Sequence, residues 1–302
     1  MNFHFRSKLL ELGLQEAFTN SMLKEKEAES FRQGQPVRIM NPISDDMTTM
    51  RPSLLPGLLK AVTHNVNRNL EDVRFFELGR VFQNYRENQL PEQPYHLAVV
   101  ITGRRYRESW NAPKETVDFY DIKGYLENFL AKIFLDNYQF ILYPKATYLS
   151  AEECIAVEAD GEILGVCGRI QSDVLKAFDL EKPVYGFELN VDKLAERIGF
   201  DRSYQAISRF PYSERDLALV LDDDIHAADV LDFIREISGN LLYQLDVFDV
   251  YRGDKIPAGK KSLAIRMRFQ SYERTLSDKE VDKLFNKIIQ QSQKKFNARL
   301  RD

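Results

Sequence analysis

The chain has 302 residues, 44% apolar and 29% charged, with a formal net charge of -4. That is length for about two domains, with enough apolar residues to bury cores, so the chain need not be disordered; no apolar run nears the roughly 18 residues of a membrane helix and no basic-then-apolar leader opens it, so it reads as soluble and cytoplasmic with no membrane partner. From Ile207 onward there are 17 Lys and Arg against 16 Asp and Glu, and before it 25 against 30, so neither part is a basic coat and any nucleic-acid contact is local, on one face of the C-terminal part.

Residues 1–23 read as a short helix striped by Phe5, Leu9, Leu10 and Leu12, capped by Gly13, then a strand from Ala17 to Leu23. A polar loop, Asn41–Met50, leads into an apolar helix through about Val66. Leu54, Leu55, Leu58, Leu59 and Val62 share one of its faces, and the prolines of its first turn cost no hydrogen bond. Arg74–Phe82 is a nearly continuous apolar run, which suits a buried strand. Gln83–Pro94 is a polar turn and Tyr95–Gly103 a strand. In the irregular segment 104–115, Arg104, Arg105 and Arg107 stand near Trp110. That mixture reads either as a solvated loop anchored by the Trp or as a stacking site for RNA bases. Val117–Leu135 is a second long helix, with Asp118 at its positive end.

Phe140–Tyr143 is a strand, and Asp160-Gly161 sets a two-residue hairpin between Ile155–Ala159 and Ile163–Cys167. In that register Cys154 and Cys167 face each other. That placement reads either as a cross-strand disulfide or, favoured in a reducing compartment and with no disulfide framework, as two small buried thiols. A short helix (173–178), a strand (184–189) and a helix (191–198) follow, and 199–205 reads as a linker. Beyond it the pattern is a compact βαββαβ: Leu217, Leu219 and Leu221 alternate, Val230, Leu231, Phe233, Ile234 and Ile237 stripe a helix, 245–251 is a strand, Leu263, Ile265, Met267 and Phe269 alternate, a helix starts near Asp278, and Phe296–Leu300 closes the set. This order is ferredoxin-like, with both helices on one sheet face. Alternation turns Asp216, Arg266, Arg268, Gln270, Arg299 and Tyr251 to the other face. Such a face is either a single-stranded RNA platform or an ordinary polar surface neutralised by Asp216, Asp246 and Asp249.

The chain has no nucleophile elbow, phosphate-cradling glycine loop or dinucleotide fingerprint. Asp45-Asp46 lies in a turn, Asp222–Asp224 at a strand-to-helix junction where capping accounts for it, and the four histidines have no ligand spacing, so no metal residue is assigned.

Several runs together resemble the C-terminal part of the bacterial phenylalanyl-tRNA synthetase beta subunit. They are Leu9-Leu-Glu-Leu-Gly-Leu-Gln-Glu-Ala17, Asn41-Pro-Ile-Ser44, Met50-Arg-Pro-Ser-Leu-Leu-Pro-Gly-Leu-Leu59, Phe76-Glu-Leu-Gly-Arg-Val-Phe82 and Asp118-Phe-Tyr-Asp-Ile-Lys-Gly124. Ser208-Arg-Phe-Pro-Tyr-Ser-Glu-Arg-Asp216, Phe248-Asp-Val-Tyr-Arg-Gly253, Gly259-Lys-Lys-Ser-Leu263 and Glu273-Arg-Thr-Leu276 are similar to its ferredoxin-fold anticodon-binding domain. The resemblance implies an α+β chain: a class II aminoacyl-tRNA synthetase-like antiparallel sheet domain at 1–199, then an anticodon-binding domain at 207–302.

In an active class II site, arginines and close-approach glycines hold ATP. Here Gly79-Arg80-Val81-Phe82 stands at the start of the first such motif, but Gln83–Leu90 lacks its acidic continuation. At the second, Glu188, Asn190 and Asp192 replace glycines and Lys193 stands for arginine, and carboxylates there would repel phosphates. The resemblance therefore implies a non-catalytic fold that binds no cofactor itself, within a complex that uses ATP and Mg²⁺. It implies two partners, a catalytic alpha subunit (two alpha with two beta) and tRNA(Phe). tRNA contacts are expected at Arg209, Arg215, Asp216, Tyr251, Arg266, Arg268 and Arg299, and a subunit contact at Leu54, Leu55, Leu58, Leu59 and Val62. The N-terminal domains of that family are missing, which reads as a truncated subunit. The rival readings are a free-standing ATP-dependent ligase and an orphan RNA-binding regulator derived from a synthetase subunit.

Overall fold

The computed structural model describes residues 2–32, 34–86, 89–199 and 206–301; the expected linker, apart from Gly199, lies outside them. The chain divides into two compact units, Met1–Arg202 and Ser203–Asp302.

The first unit runs α1 (Asn2–Glu11), β1 (Gln15–Glu16), β2 (Met22–Leu23), α2 (Glu25–Glu29), β3 (Thr49–Met50), α3 (Leu55–Val66), β4 (Val73–Arg80) and β5 (Tyr95–Thr102). It continues through α4 (Phe119–Lys132), β6 (Gln139–Leu142), β7 (Leu149–Ala159), β8 (Glu162–Ile170), α5 (Ser172–Lys176), β9 (Tyr185–Asn190) and α6 (Val191–Ala195). Its main sheet has the order β1-β4-β5-β9-β8-β7-β6, with β1 parallel to β4 and the other pairs antiparallel.

The apolar runs are continuous because both faces of this sheet are covered. Along β5, Leu97, Val99 and Ile101 join a core with Phe5 and Leu9 of α1 and Ile122, Leu126 and Phe129 of α4. Ala98 and Val100 join a second core with Leu55, Leu58, Leu59 and Val62 of α3 and Val174 and Leu175 of α5.

Local chemistry sets the ends. The Asp118 carboxylate accepts from the Tyr120 and Asp121 amides at 2.8 and 3.1 Å, and Asp121 returns the contact to the Asp118 amide at 2.7 Å, so α4 starts on a capping box. Leu10 differs from the expected stripe of α1. It is 52% exposed, because Phe5 and Leu9 alone share the inner face at i,i+4. The strand expected over 17–23 is also broken. Thr19 bonds to the Glu77 carboxylate between β1 and β2, as the chain passes from the main sheet to the small β2-β3 pair.

The cysteines do not face each other. Asp160 and Gly161 both have positive φ, as a tight hairpin turn requires, and Ala159 pairs with Glu162. A bulge then shifts the register, so Val157 pairs with Gly165 and Ile155 with Cys167. A one-residue shift reverses faces. Cys167 therefore lies in the α1/α4 core and Cys154 in the α3/α5 core. Both are free and buried, and burial raises the Cys154 thiol to about 11 and Cys167 further.

The second unit runs β10 (Ser213–Asp222), α7 (Ala227–Ser238), β11 (Leu242–Tyr251), β12 (Lys260–Phe269), α8 (Asp278–Phe296) and β13 (Arg299–Leu300), in the sheet order β11-β12-β10-β13. That is the ferredoxin-like arrangement. Leu217, Leu219, Leu263, Ile265, Met267 and Phe269 face Val230 and Ile234 of α7 and Val281 and Ile288 of α8. Asp222–Asp224 do not cap α7, whose N-cap is His226. Asp222 receives Lys260 Nζ at 2.5 Å and Asp223 receives Arg252 Nε at 2.8 Å.

Candidate nucleic-acid interface and the cleft of the main sheet

The sheet face of the second unit opposite α7 and α8 carries Arg266 and Arg268 on β12. Register sets Asp216 and Asp246 beside Arg266, and Glu214 and Gln244 beside Arg268. Arg266 donates to both Asp216 oxygens at 2.9 and 2.7 Å, and Arg268 donates to Glu214 at 2.8 Å and Gln244 at 2.8 Å. Arg266 holds the Asp216 carboxyl below its ordinary range. Each guanidinium also lies over a ring: Arg266 over Phe248 at 4.9 Å, Arg268 over Tyr212 at 5.0 Å and Arg301 over Tyr251 at 4.7 Å. Tyr212 and Tyr243 stack at 6.5 Å between centroids. The face thus carries arginines stacked on aromatic rings and, at the same time, the carboxylates that neutralise them. A phosphate reaching these arginines must displace or share a carboxylate, while the rings offer stacking faces.

Sequence reasoning missed Tyr212, Tyr243, Phe248 and Arg301. Bulges in β11 near Tyr243 and Phe248 break the alternation that would have revealed them. One expected residue does not belong to the platform. Arg215 pairs across the sheet with the core residue Met267, so it points to the helix side and bonds Asp282 of α8 at 2.8 Å. Arg299 pairs with Val220, on the same side as Asp216, and Arg209 is exposed ahead of β10.

The expected subunit contact is corrected as well. Leu54, Leu58, Leu59 and Val62 are 0% exposed and Leu55 1%, all within the α3/α5 core of this unit. They hold α3 on the sheet and are not free to meet a partner. Leu58→Ala is therefore expected to destabilise the isolated chain by roughly 3 kcal/mol, read from a urea unfolding curve. A residue that served only a partner would leave that curve unmoved.

Below the first turn of α3, a cleft of 240 Å³ is lined by Ser53, Gln83, His96, Tyr143, Tyr148, Glu188 and Lys193, among others. Its floor is Glu188, 6% exposed. Glu188 Oε1 accepts the Leu54 amide at 3.1 Å and lies 2.8 Å from His96 Nδ1, and the Ser53 hydroxyl donates to Oε2. The other residues standing where glycine or arginine was expected are bonded into the fold. The Asn190 side chain caps α6 by accepting the Lys193 amide at 3.0 Å, Asp192 accepts the Tyr95 amide at 2.8 Å, and Lys193 pairs with Glu162 at 2.8 Å. Arg80 donates to the Gln93 carbonyl at 2.7 Å. Among the described residues no group of three or more His, Cys, Asp and Glu could hold a metal, and no helix is long and apolar enough to cross a membrane.

A mostly antiparallel sheet covered by helices on both faces, with a cleft beside its central strands, points to a synthetase-like fold. In keeping with this, the solved structure of Desulfitobacterium hafniense PylSc, a pyrrolysyl tRNA synthetase, matches with a TM-score of 0.50 at 12% identity, over 64% of this chain and 66% of that one. Residues 1–191 match the family described as the phenylalanyl tRNA synthetase beta chain CLM domain, and residues 208–301 match the ferredoxin-fold anticodon binding domain. The chain belongs to the phenylalanyl-tRNA synthetase beta chain family. Similar relatives are phenylalanine–tRNA ligase beta subunits. That of Pseudomonas fluorescens Pf-5 is 40% identical over 98% of this chain and 37% of its own length. That of Syntrophotalea carbinolica is 37% identical over 88% and 33%. That of Bacteroides thetaiotaomicron is 33% identical over 97% and 37%. The chain thus spans about a third of the length of these curated relatives.

Proposed function

We propose that this chain is the non-catalytic scaffold and anticodon-binding part of a phenylalanine–tRNA ligase, with residues 1–199 as the class II synthetase-like domain and 207–302 as the anticodon-binding domain. It acts in the cytoplasm in a heterotetramer of two alpha and two beta subunits. The alpha subunit charges tRNA(Phe) with ATP and Mg²⁺, and this part binds neither. The observation that carries the reading is the match to both families in sequence order along one chain. The bonding of Glu188, Asn190, Asp192 and Lys193 into the fold supports the non-catalytic half of it.

On this reading Asp216, Tyr251, Arg266, Arg268 and Arg299 lie toward the tRNA and Arg209 borders them. Arg266→Ala or Arg268→Ala weakens binding of the tRNA(Phe) anticodon stem-loop and lowers the salt slope by about 0.7–0.9 for each phosphate no longer neutralised. Asp216→Asn, which removes the bidentate partner of Arg266 and leaves it only the longer 3.4 Å contact with Glu214, strengthens binding at low salt. Fluorescence anisotropy of a labelled stem-loop measures all three. Unchanged binding in both arginine variants would sink this assignment, and failure of the alpha subunit to co-purify would sink the scaffold role.

A further inference from the structure

Loop 105–115 of the first unit has a rigid base and an open tip. Arg104 pairs with Thr116 across its neck, and the Arg105 amide bonds the Glu115 carbonyl at 2.8 Å. The Arg104 amide donates to Asp72 at 2.7 Å, and Arg74 donates to the Arg104 and Arg105 carbonyls at 2.6 and 3.0 Å. The Arg105 guanidinium then bonds Glu115, Asp118 and Asp121 at 2.6, 2.7 and 3.0 Å, locking the loop to the capping box of α4. Gly103 is needed at the neck. Its φ is +91°, and a Cβ there would meet the Glu71 carbonyl oxygen at 2.5 Å.

On this fixed base the tip presents Trp110, 96% exposed, with Tyr106 at 47%. The Trp does not anchor the loop, as one sequence reading held; a loop held by Arg105 needs no such anchor. An exposed Trp on a pinned loop is an unsatisfied apolar surface. The unpaired charge around it is basic, because Glu108, which lines the same cleft as Trp110, is taken by Arg104. Arg104 is paired with Glu108 at 2.6 Å, but exposed Arg107 and Lys114 have no ion-pair or hydrogen-bond partner among the described residues. A cleft of 290 Å³ runs between them, lined by Tyr106, Arg107, Trp110, Pro113 and Lys114, among others.

We infer that this loop is a second RNA-binding site, in which an unpaired nucleotide stacks on Trp110 while Arg107 and Lys114 take its flanking phosphates. Every base has a π face, so stacking suits single strands whatever their sequence, and two free cations beside a ring complement a phosphate-linked base better than a neutral apolar partner. The inference goes beyond the assignment of the anticodon-binding face and does not depend on it.

Trp110 is the chain's single tryptophan, so its emission reports this site alone. Titrating the full chain with a short oligoadenylate is expected to quench that emission, and duplex RNA of equal length or inorganic polyphosphate is not. With a labelled oligoadenylate, Trp110→Ala weakens the binding measured at this loop about 5- to 100-fold and Trp110→Phe much less. Arg107→Ala and Lys114→Ala each reduce the salt slope by about 0.7. The quench persists in an Arg266→Ala, Arg268→Ala background, which separates this site from the other. Absence of quenching overturns the inference. So does quenching by polyphosphate alone, or an emission shift produced only by the alpha subunit, which would assign the tip to protein.

Discussion

Glu77→Ala is expected to destabilise the first unit by about 3–5 kcal/mol, a large share of the stability of an ordinary domain. Glu77 and Arg51 form a buried pair, with side chains 3% and 6% exposed and Arg51 Nη1 2.7 Å from Glu77 Oε1. The pair ties three stretches together. Arg51, just before α3, also donates to the Arg80 carbonyl at 2.9 Å and to Thr19 Oγ1 at 3.2 Å, and Thr19 donates to the other Glu77 oxygen at 2.6 Å. Two glycines make the room. A Cβ at Gly79 would meet Arg51 Nη2 at 2.3 Å, and one at Gly57 would meet Thr19 Oγ1 at 2.2 Å. Removing Glu77 leaves a guanidinium buried without its counter-charge. Replacing both partners, as Arg51→Met with Glu77→Leu, should recover much of the loss, because the stranded charge goes with its partner. Urea unfolding of the two single variants and the double decides it; additive losses would refute a buried pair acting as one unit.

That pair marks the limit of what the sequence disclosed. Apolar periodicity located α3, α4, the β7–β8 hairpin and the whole βαββαβ order, since each buries a face whose period shows in the residues. It did not say what the α3 stripe was buried against. Leu54–Val62 looks the same whether it covers a sheet or a partner, and only the main sheet's second face settles it. Nor does a pattern foresee a bulge. The cysteines and the β11 aromatics were misplaced or missed because one extra residue reverses the faces. The charges of Glu188 in the cleft and of Asp192 beyond it were legible, but their hydrogen bonds come from residues 92 to 135 positions distant in the chain, which no local signal shows.

Those bonds bear on whether the cleft could admit a nucleotide. Glu188 is the carboxylate whose removal would do most to admit a phosphate, yet its oxygens take the Leu54 amide at the N-cap of α3 and the Ser53 hydroxyl and hold His96. A carboxylate at a helix N-terminus is also favoured by the helix dipole. Ser53 in turn accepts the Leu55 amide at 3.1 Å, so the start of α3 hangs on this one side chain. Glu188→Gly would place a glycine where the resemblance to active class II sites expects one while leaving the Leu54 amide, the Ser53 hydroxyl and the part-buried His96 ring without their partner, each worth about 1–3 kcal/mol and not strictly additive. The expected result is a loss of about 3–5 kcal/mol, lowering the melting temperature by roughly 10 °C for a unit of this size. Calorimetry reads the melting shift, and isothermal titration with Mg-ATP is expected to show no binding in either the native chain or the variant. A variant that melts unchanged, or that takes up ATP at micromolar concentration, would mean that the cleft is an open site with one residue in the way. The bonding of Glu188 argues instead that α3 and the cleft floor are built as one, so that the carboxylate in the cleft is the same group that holds the start of the helix in place.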